Sequence, residues 1–541
     1  MKQLFVTFLS ISIFYAACAQ NYEKTFLVNK IDSLVNQLNA SGIPGGAIAV
    51  VSGKEVLYKK AFGMMSLEYR LPNTENTLFN LASVSKHFTA YCILLLEKEK
   101  KLDLDEDIRT YLPNLPDYGL KITARHLIHH TSGIASSDNL RLFAGLSFEA
   151  PWDSADEFDM ISRYHQLNYT PNKEGNYSNS GYFLLAKIIE KVSGMSFNDF
   201  IAEKVFKPLG MKESIIYDQC GKVIIDKAYG YKKNDKTFTR MNSDAESIYG
   251  STNLYTSLND ITIWMQNLLN PPIGEKDLVL RMFNPSDTTN NGDTLNYTYG
   301  LNVWKYKGIK IADHGGYTMG FRSQIMFFPD NDFAIITMSN NENIDNYGLM
   351  TKIADLYLGD KLIPEIKKDR IEMKPSADIL KSYVGNYRMP DGMKLNFEQN
   401  GDTLFLIIPG APKFVMHAES ETEFFLKEFD AQCTFNKPVN GKCPEITWHQ
   451  NNHHPKGYRA GNPPVLSIND LQNYSGNYVS EPLNVSYPVI VKNNKLILVV
   501  PKNFKTYLGI DQEVLLDCVD KDQFFTQRLG MLEFIRDSHK I

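Results

Sequence analysis

The stretch Phe79-Asn80-Leu81-Ala82-Ser83-Val84-Ser85-Lys86-His87-Phe88-Thr89 sets a serine at the head of an apolar run, 88–96, with a lysine three residues behind it. If the run is helical, Ser83 stands at the helix N-terminus and Lys86 lies on the same face less than one turn later, within side-chain reach. Serine is a poor nucleophile without a neighbouring base or cation, and a helix N-terminus favours negative charge on its oxygen. The pairing is therefore a way to activate a hydroxyl. Taken alone, S-x-x-K fits equally an N-cap followed by a surface lysine; the rest of the chain decides between the two.

Two further stretches follow in order. Pro171-Asn172-Lys173-Glu174-Gly175-Asn176-Tyr177-Ser178-Asn179-Ser180-Gly181-Tyr182 precedes an amphipathic helix, and Ile311-Ala312-Asp313-His314-Gly315-Gly316-Tyr317 leads into strand-like sequence. Singly, the first reads as a cap beside a packed tyrosine and the second as a turn. The order S-x-x-K, Y-x-N, H-x-G resembles the serine hydrolases related to class C β-lactamases, a group that also holds esterases, D-amino-acid peptidases and penicillin-binding carboxypeptidases. Ile122-Thr123-Ala124-Arg125-His126-Leu127-Ile128-His129-His130-Thr131-Ser132-Gly133-Ile134 and Phe206-Lys207-Pro208-Leu209-Gly210-Met211 are similar to stretches that frame the motifs in that family.

The resemblance implies Ser83, Lys86 and Tyr177 as catalytic residues and Asn179, His314, Gly316 and Tyr317 as substrate-binding ones. It implies an oxyanion hole from the backbone N–H groups of Ser83 and Tyr317, and gives the His129–His130 stretch no direct part in acyl transfer. The residue chemistry is consistent with these roles. A phenol of pKa about 10 acts as a base near neutrality only if a cation such as Lys86 stabilises the phenolate, or if proton transfer is concerted. Lys86 is thus either tuner or co-base, and sequence leaves the shared proton unassigned. Asn179 carries a donor and an acceptor, fit to orient Lys86 or hold a substrate carbonyl. Two positions depart from the family. Enzymes that open β-lactams commonly have lysine where His314 stands, and a mostly neutral histidine offers less to a substrate carboxylate. Gly250-Ser251-Thr252-Asn253-Leu254 replaces a glycine-glycine-leucine, so that Thr252 and Asn253 either narrow the site or are a harmless loop variation.

The first residues read as a secretory signal, 1–19: Lys2, an apolar core too short to span a bilayer comfortably, and the small-residue site Ala17-Cys18-Ala19. Export is expected, periplasmic or secreted, with Cys18 a possible lipid anchor. No later stretch predicts a transmembrane helix. With Lys+Arg 57 against Asp+Glu 62 there is no general basic surface, which argues against nucleic acid as partner. Apart from Cys18 the cysteines are odd in number and cannot all pair within one molecule, so the chain is no disulfide scaffold. Cys433 and Cys443 flank a turn and either bridge a hairpin or stay as two thiols.

The expected fold class is α+β. Leu27, Ile31, Leu34, Val35 and Leu38 recur at helical spacing, and 47–51 and 55–62 read as two strands about a Ser52-Gly53-Lys54 turn. Their sheet partners are expected far along the chain at 308–313, 322–328 and 333–338, before a closing helix at 345–358. This gives a β-lactamase-like antiparallel sheet with flanking helices and a helical insert, domain 22–362. A charged linker, 363–377, precedes an internal repeat: Tyr383-Val384-Gly385-Asn386-Tyr387 matches Tyr474-Ser475-Gly476-Asn477-Tyr478. Two small all-β units are expected, 378–460 and 466–541, similar to the lipocalin-like domains of some family members. The histidines of Trp448-His449-Gln450-Asn451-Asn452-His453-His454-Pro455 match no standard zinc spacing. The expected function is an exported serine hydrolase acting on a small-molecule or peptide substrate, without cofactor or metal and with oligomeric state open. Its rivals are a peptidoglycan-directed D,D-carboxypeptidase or D-aminopeptidase and an inactive binding protein that keeps the fold.

Overall fold

Strand β1, Gly46–Ser52, is buried from Gly46 through Val51, as only a strand covered on both faces can be. It lies between β2 (Glu55–Phe62) and, from the far end of the unit, β6 (Phe333–Ser339), paired antiparallel from Gly46↔Ser339 to Ser52↔Phe333. With β3 (Asn302–Tyr306), β4 (Ile309–Thr318) and β5 (Phe321–Phe328) the sheet order is β3-β4-β5-β6-β1-β2. The edge strand β3 went unread in the sequence, since within it only Val303 is fully buried. We describe a computed structural model over residues 25–39, 42–271, 276–363, 370–389, 393–408, 412–450, 454–461, 464–526 and 529–535. The stretch read as a leader with Cys18, residues 364–369 of the expected linker and His453 lie outside these residues.

Period-two alternation divides the side chains of β1 between two cores. Ile48 and Val50 join Ile31 and Val35 of helix α1 (25–36) and Met350 and Ile353 of the last helix of the unit. Ala47, Ala49 and Val51 face the opposite core with Phe88 and Trp264. Helix α2, Lys86–Lys98, runs through that core and is buried continuously from Lys86 to Leu94. Phe88 stacks on Trp264 at 4.2 Å, and Trp264 Nε1 donates to His87 Nε2 at 2.6 Å. Its N-cap makes no side-chain hydrogen bond. At roughly 1.5–3 kcal/mol per fully buried large apolar side chain, Phe88, Ile93, Leu94 and Leu96 position this helix far more firmly than a cap of about 1 kcal/mol. Helix α3, Asn179–Ser193, packs against it, and α4, Asn346–Leu358, closes the unit with Asp345 accepting from the Gly348 N–H at 2.9 Å.

The chain divides into two compact units, with the second beginning at Ile366. The second contains a closed barrel of eight strands, from Gly385–Arg388 to Lys456–Arg459, and a sheet of six from Gly476–Ser480 to Gly530–Glu533, open among the described residues. The repeat survives as a repeated bond: Tyr387 Oη donates to Tyr383 O at 3.1 Å and Tyr478 Oη to Tyr474 O at 3.0 Å. Arg459 locks the closed copy by donating to the carbonyls of Ser382, Val384 and Cys443. Cys433 and Cys443 are both buried thiols rather than a bridge. Among the described residues no helix is long and apolar enough to cross a membrane.

Candidate active site

Ser83 sits in a 3₁₀ turn, Ala82–Ser85, that feeds directly into α2. Ala82 has a left-handed φ of +48°, a conformation that costs an alanine roughly 1–2 kcal/mol. Neighbours hold it there: the Ala82 N–H donates to Asn80 Oδ1 at 2.8 Å, the Leu81 N–H to Leu254 O at 2.9 Å, and Ser323 Oγ to Leu81 O at 2.6 Å. Asn253 belongs to this brace. Buried at φ +62°, it accepts from Asn80 Nδ2 at 2.7 Å, so the departure at 250–254 supports the serine turn from beneath.

Lys86 is fully buried and its Nζ has three oxygen partners: Ser83 Oγ at 3.0 Å, Asn179 Oδ1 at 2.6 Å and Ser251 O at 2.8 Å. Two of these are carbonyl oxygens, which only accept. An uncharged amine placed here donates both N–H groups to them and is left with its lone pair facing the Ser83 hydroxyl. Loss of water pushes the Lys86 amine down to about 7, against the opposing pull of the Asp138 carboxylate. The site can therefore hold lysine as a base near neutral pH.

Tyr177, just ahead of α3, lies against the same amine, with Lys86 Nζ 4.8 Å from its ring centroid and the Ser83 hydroxyl among the groups acting on its phenol. Although 43% of its surface is open, protein packed round the hydroxyl holds the phenol well above the ordinary tyrosine range. With the amine pushed down and the phenol held up, no permanent cation stands beside Tyr177 to hold it as a phenolate, an arrangement that can set a protonated tyrosine beside an uncharged lysine. His130 packs its ring 4.3 Å from Tyr177, and its Nδ1 accepts from the Ser178 N–H at 3.2 Å. His129 is tied to Tyr297 O at 2.7 Å and to Asp287 at 3.1 Å.

His314 has both ring nitrogens engaged by protein. Its Nδ1 donates to Gly315 O at 2.6 Å and its Nε2 accepts from Tyr297 Oη at 2.9 Å, so neither nitrogen is left for a substrate. Burial, with Lys86 nearby, pushes the imidazole down to about 3, and it is neutral at physiological pH. Its ring still lines an open cleft of about 660 Å³, together with Ser83, Tyr177, Gly316, Tyr317 and Arg322. Gly316 brings β4 against the serine turn: a Cβ there would stand 2.3 Å from Leu81 O and 3.1 Å from Ala82 Cβ. Tyr317 is 55% exposed, stacked under Arg322 at 4.2 Å, with its hydroxyl donating to Glu342 Oε2 at 3.2 Å.

The structure thus brings Ser83, Lys86 and Asn179 into one hydrogen-bonded group with the Tyr177 ring against the amine, and His314, Gly316 and Tyr317 on the adjoining strand. Sequence reasoning missed Asp138, which accepts from Asn179 Nδ2, and Tyr297, which occupies His314. Ser251 lay in a flagged stretch, but its part is played by a backbone carbonyl and carries no side-chain signal.

A family model described as Beta-lactamase matches residues 31–356, and one described as a domain of unknown function (DUF3471) matches 369–457. A penicillin-binding protein of Bacillus subtilis (strain 168) is 31% identical over 414 residues, 72% of this chain and 89% of that protein. A D-aminopeptidase of Brucella anthropi is 28% identical over 299 residues, 55% of this chain and 56% of its own length, so the match spans just over half of that relative. The octameric penicillin-binding protein homologue from Pyrococcus abyssi shares the fold, with a TM-score of 0.54 at 23% identity over 81% of this chain and 99% of that one. With the S-x-x-K, Y-x-N and H-x-G motifs gathered round one cleft inside the matched region, the chain belongs to the β-lactamase family and is a serine hydrolase of the β-lactamase and penicillin-binding-protein group.

Proposed function

We propose that the chain is an exported hydrolase that opens an ester or amide bond through an acyl-enzyme on Ser83. The observation that carries this reading is the buried Lys86 amine, 3.0 Å from Ser83 Oγ with two carbonyl acceptors for its N–H groups. Ser83 Oγ attacks the carbonyl carbon as its proton passes to Lys86, and the backbone N–H groups of Ser83 and Tyr317 receive the developing oxyanion. Tyr177 protonates the leaving oxygen or nitrogen and is reprotonated from Lys86. Water then attacks the acyl carbonyl, giving its proton to the same pair, which returns one to Ser83 as the acid leaves. The leader read over 1–19 supports export.

For the substrate, the reading favours esters and D-amino-acid amides or peptides over β-lactams. The motif position that commonly carries a lysine in β-lactam-opening enzymes holds here a neutral histidine with both nitrogens engaged. A relative named D-aminopeptidase supports the narrower reading of a D-aminopeptidase. The test is a set of kcat/KM values at pH 8 for a p-nitrophenyl ester, D- and L-amino-acid p-nitroanilides and a chromogenic cephalosporin. The ester and D-anilide are expected to exceed the cephalosporin by about ten-fold or more, within reach of a single site's discrimination. A cephalosporin turned over faster than both would overturn the substrate assignment.

A further inference from the structure

Asp138 lies in the first turn of a helix, Ser137–Phe143, that is stitched to the start of α3. Ser178 Oγ donates to Ile134 O at 3.2 Å, Ser180 Oγ to Ala135 O at 2.8 Å, and the Ser137 N–H to Ser180 Oγ at 2.8 Å. Between these bonds the Asp138 carboxylate meets the Asn179 side chain. A carboxylate has no proton to give, so only the NH₂ end of an amide can face it. The other end of Asn179 then points to Lys86 Nζ at 2.6 Å. With the amide reversed, the NH₂ group would confront an amine that already donates to Ser251 O, and the lone pair would be drawn away from Ser83. We propose that Asp138 is a positioning residue that fixes the Asn179 amide, and through it aims the Lys86 amine at Ser83.

This inference rests on the reading of Lys86 as the base. The groups facing Lys86 are the rings of Tyr177 and Tyr182, at 4.8 and 5.7 Å, the two histidines His130 and His314, both held neutral by burial, and Asp138 across Asn179. Facing Asp138 are Glu157 and Glu246, pushed by burial up to about 8 and about 7, with Arg141 paired to Glu246 at 3.1 Å. Asp138 also helps to raise both glutamates, so its loss lets them ionise more readily, which opposes the fall at Lys86 and makes the expected midpoint shift a net one.

The test is the second-order rate at which a fluorophosphonate labels the full-length protein from pH 5.5 to 9, in wild type, Asp138→Asn and Lys86→Met. Loss of the carboxylate makes Lys86 easier to deprotonate and frees the Asn179 amide to turn. Asp138→Asn is therefore expected to move the midpoint of the acid limb down by about one pH unit and to lower the plateau roughly ten-fold. A lower plateau with an unmoved midpoint would mean a merely structural role and would overturn the proposal. Should Lys86→Met keep the wild-type limb, the base assignment falls first and the proposal with it. Asp138→Ser, uncharged and smaller, gives the same readout if the asparagine variant does not fold.

Discussion

Lys86→Met is expected to lower kcat/KM at pH 8 by about 10³-fold, in the range that a positioned base contributes, and to abolish the acid limb of the pH profile. In the wild type Lys86 is protonated below its value of about 7 and has no lone pair for Ser83; above it the amine is free. Activity of the wild type therefore rises with pH through a midpoint near 7 and levels about one unit above it, while the variant stays flat and low. The same shift fixes the sign of the stability difference. The unfolded chain keeps this proton up to the ordinary lysine value of 10.5, whereas the folded chain releases it near 7. Across that window the unfolded state binds more protons, so the stability of the wild type relative to the variant rises with pH. Rate profiles from pH 5 to 9 and denaturant unfolding at pH 7 and pH 9 check both statements.

Gly316→Ala is expected to cost about 10²-fold in kcat/KM, because a displacement near 1 Å at the reacting group is enough for that loss. The glycine is required by space. The added carbon would lie 2.3 Å from Leu81 O and 2.3 Å from Ser323 Oγ, and Leu81 is backbone two residues before the serine. Relief requires β4 or the serine turn to move. Gly315→Ala provides the contrast, since its carbon would meet only Gln324 Oε1, at 2.7 Å, the far end of a side chain that can swing aside. Activity and thermal melting of the two variants side by side separate displacement of the turn from general loss of fold: Gly316→Ala loses activity well beyond Gly315→Ala while both remain folded at 25 °C.

The parts legible in the sequence are those fixed by short-range spacing. Ser83 and Lys86 are three residues apart in one turn, so local helical geometry suffices to join them. The continuous apolar run of β1 likewise reports a strand buried on both faces before any partner strand is known. Asp138 and Tyr297 were illegible for the opposite reason. Their partners stand far away in the chain, and an aspartate at a helix start or a tyrosine in a loop is ordinary until packing sets it against Asn179 or His314. The state of His314 also needed the structure: its residue type predicts a neutral ring at pH 7, whereas the loss of both nitrogens to Gly315 and Tyr297 depends on tertiary contact. In the second unit the repeat announced two related β structures. Closure of the first depends on pairing between its end strands, Tyr387↔Arg459 and Arg388↔Tyr458, which local patterning does not report.

The most direct measurement is the intact mass of wild type and Ser83→Ala after incubation with a fluorophosphonate at pH 8. A single adduct on the wild type, absent from the variant, is the predicted result and fixes Ser83 as the nucleophile. An adduct that persists in Ser83→Ala, or a wild type that takes no label, would contradict the acyl-enzyme account.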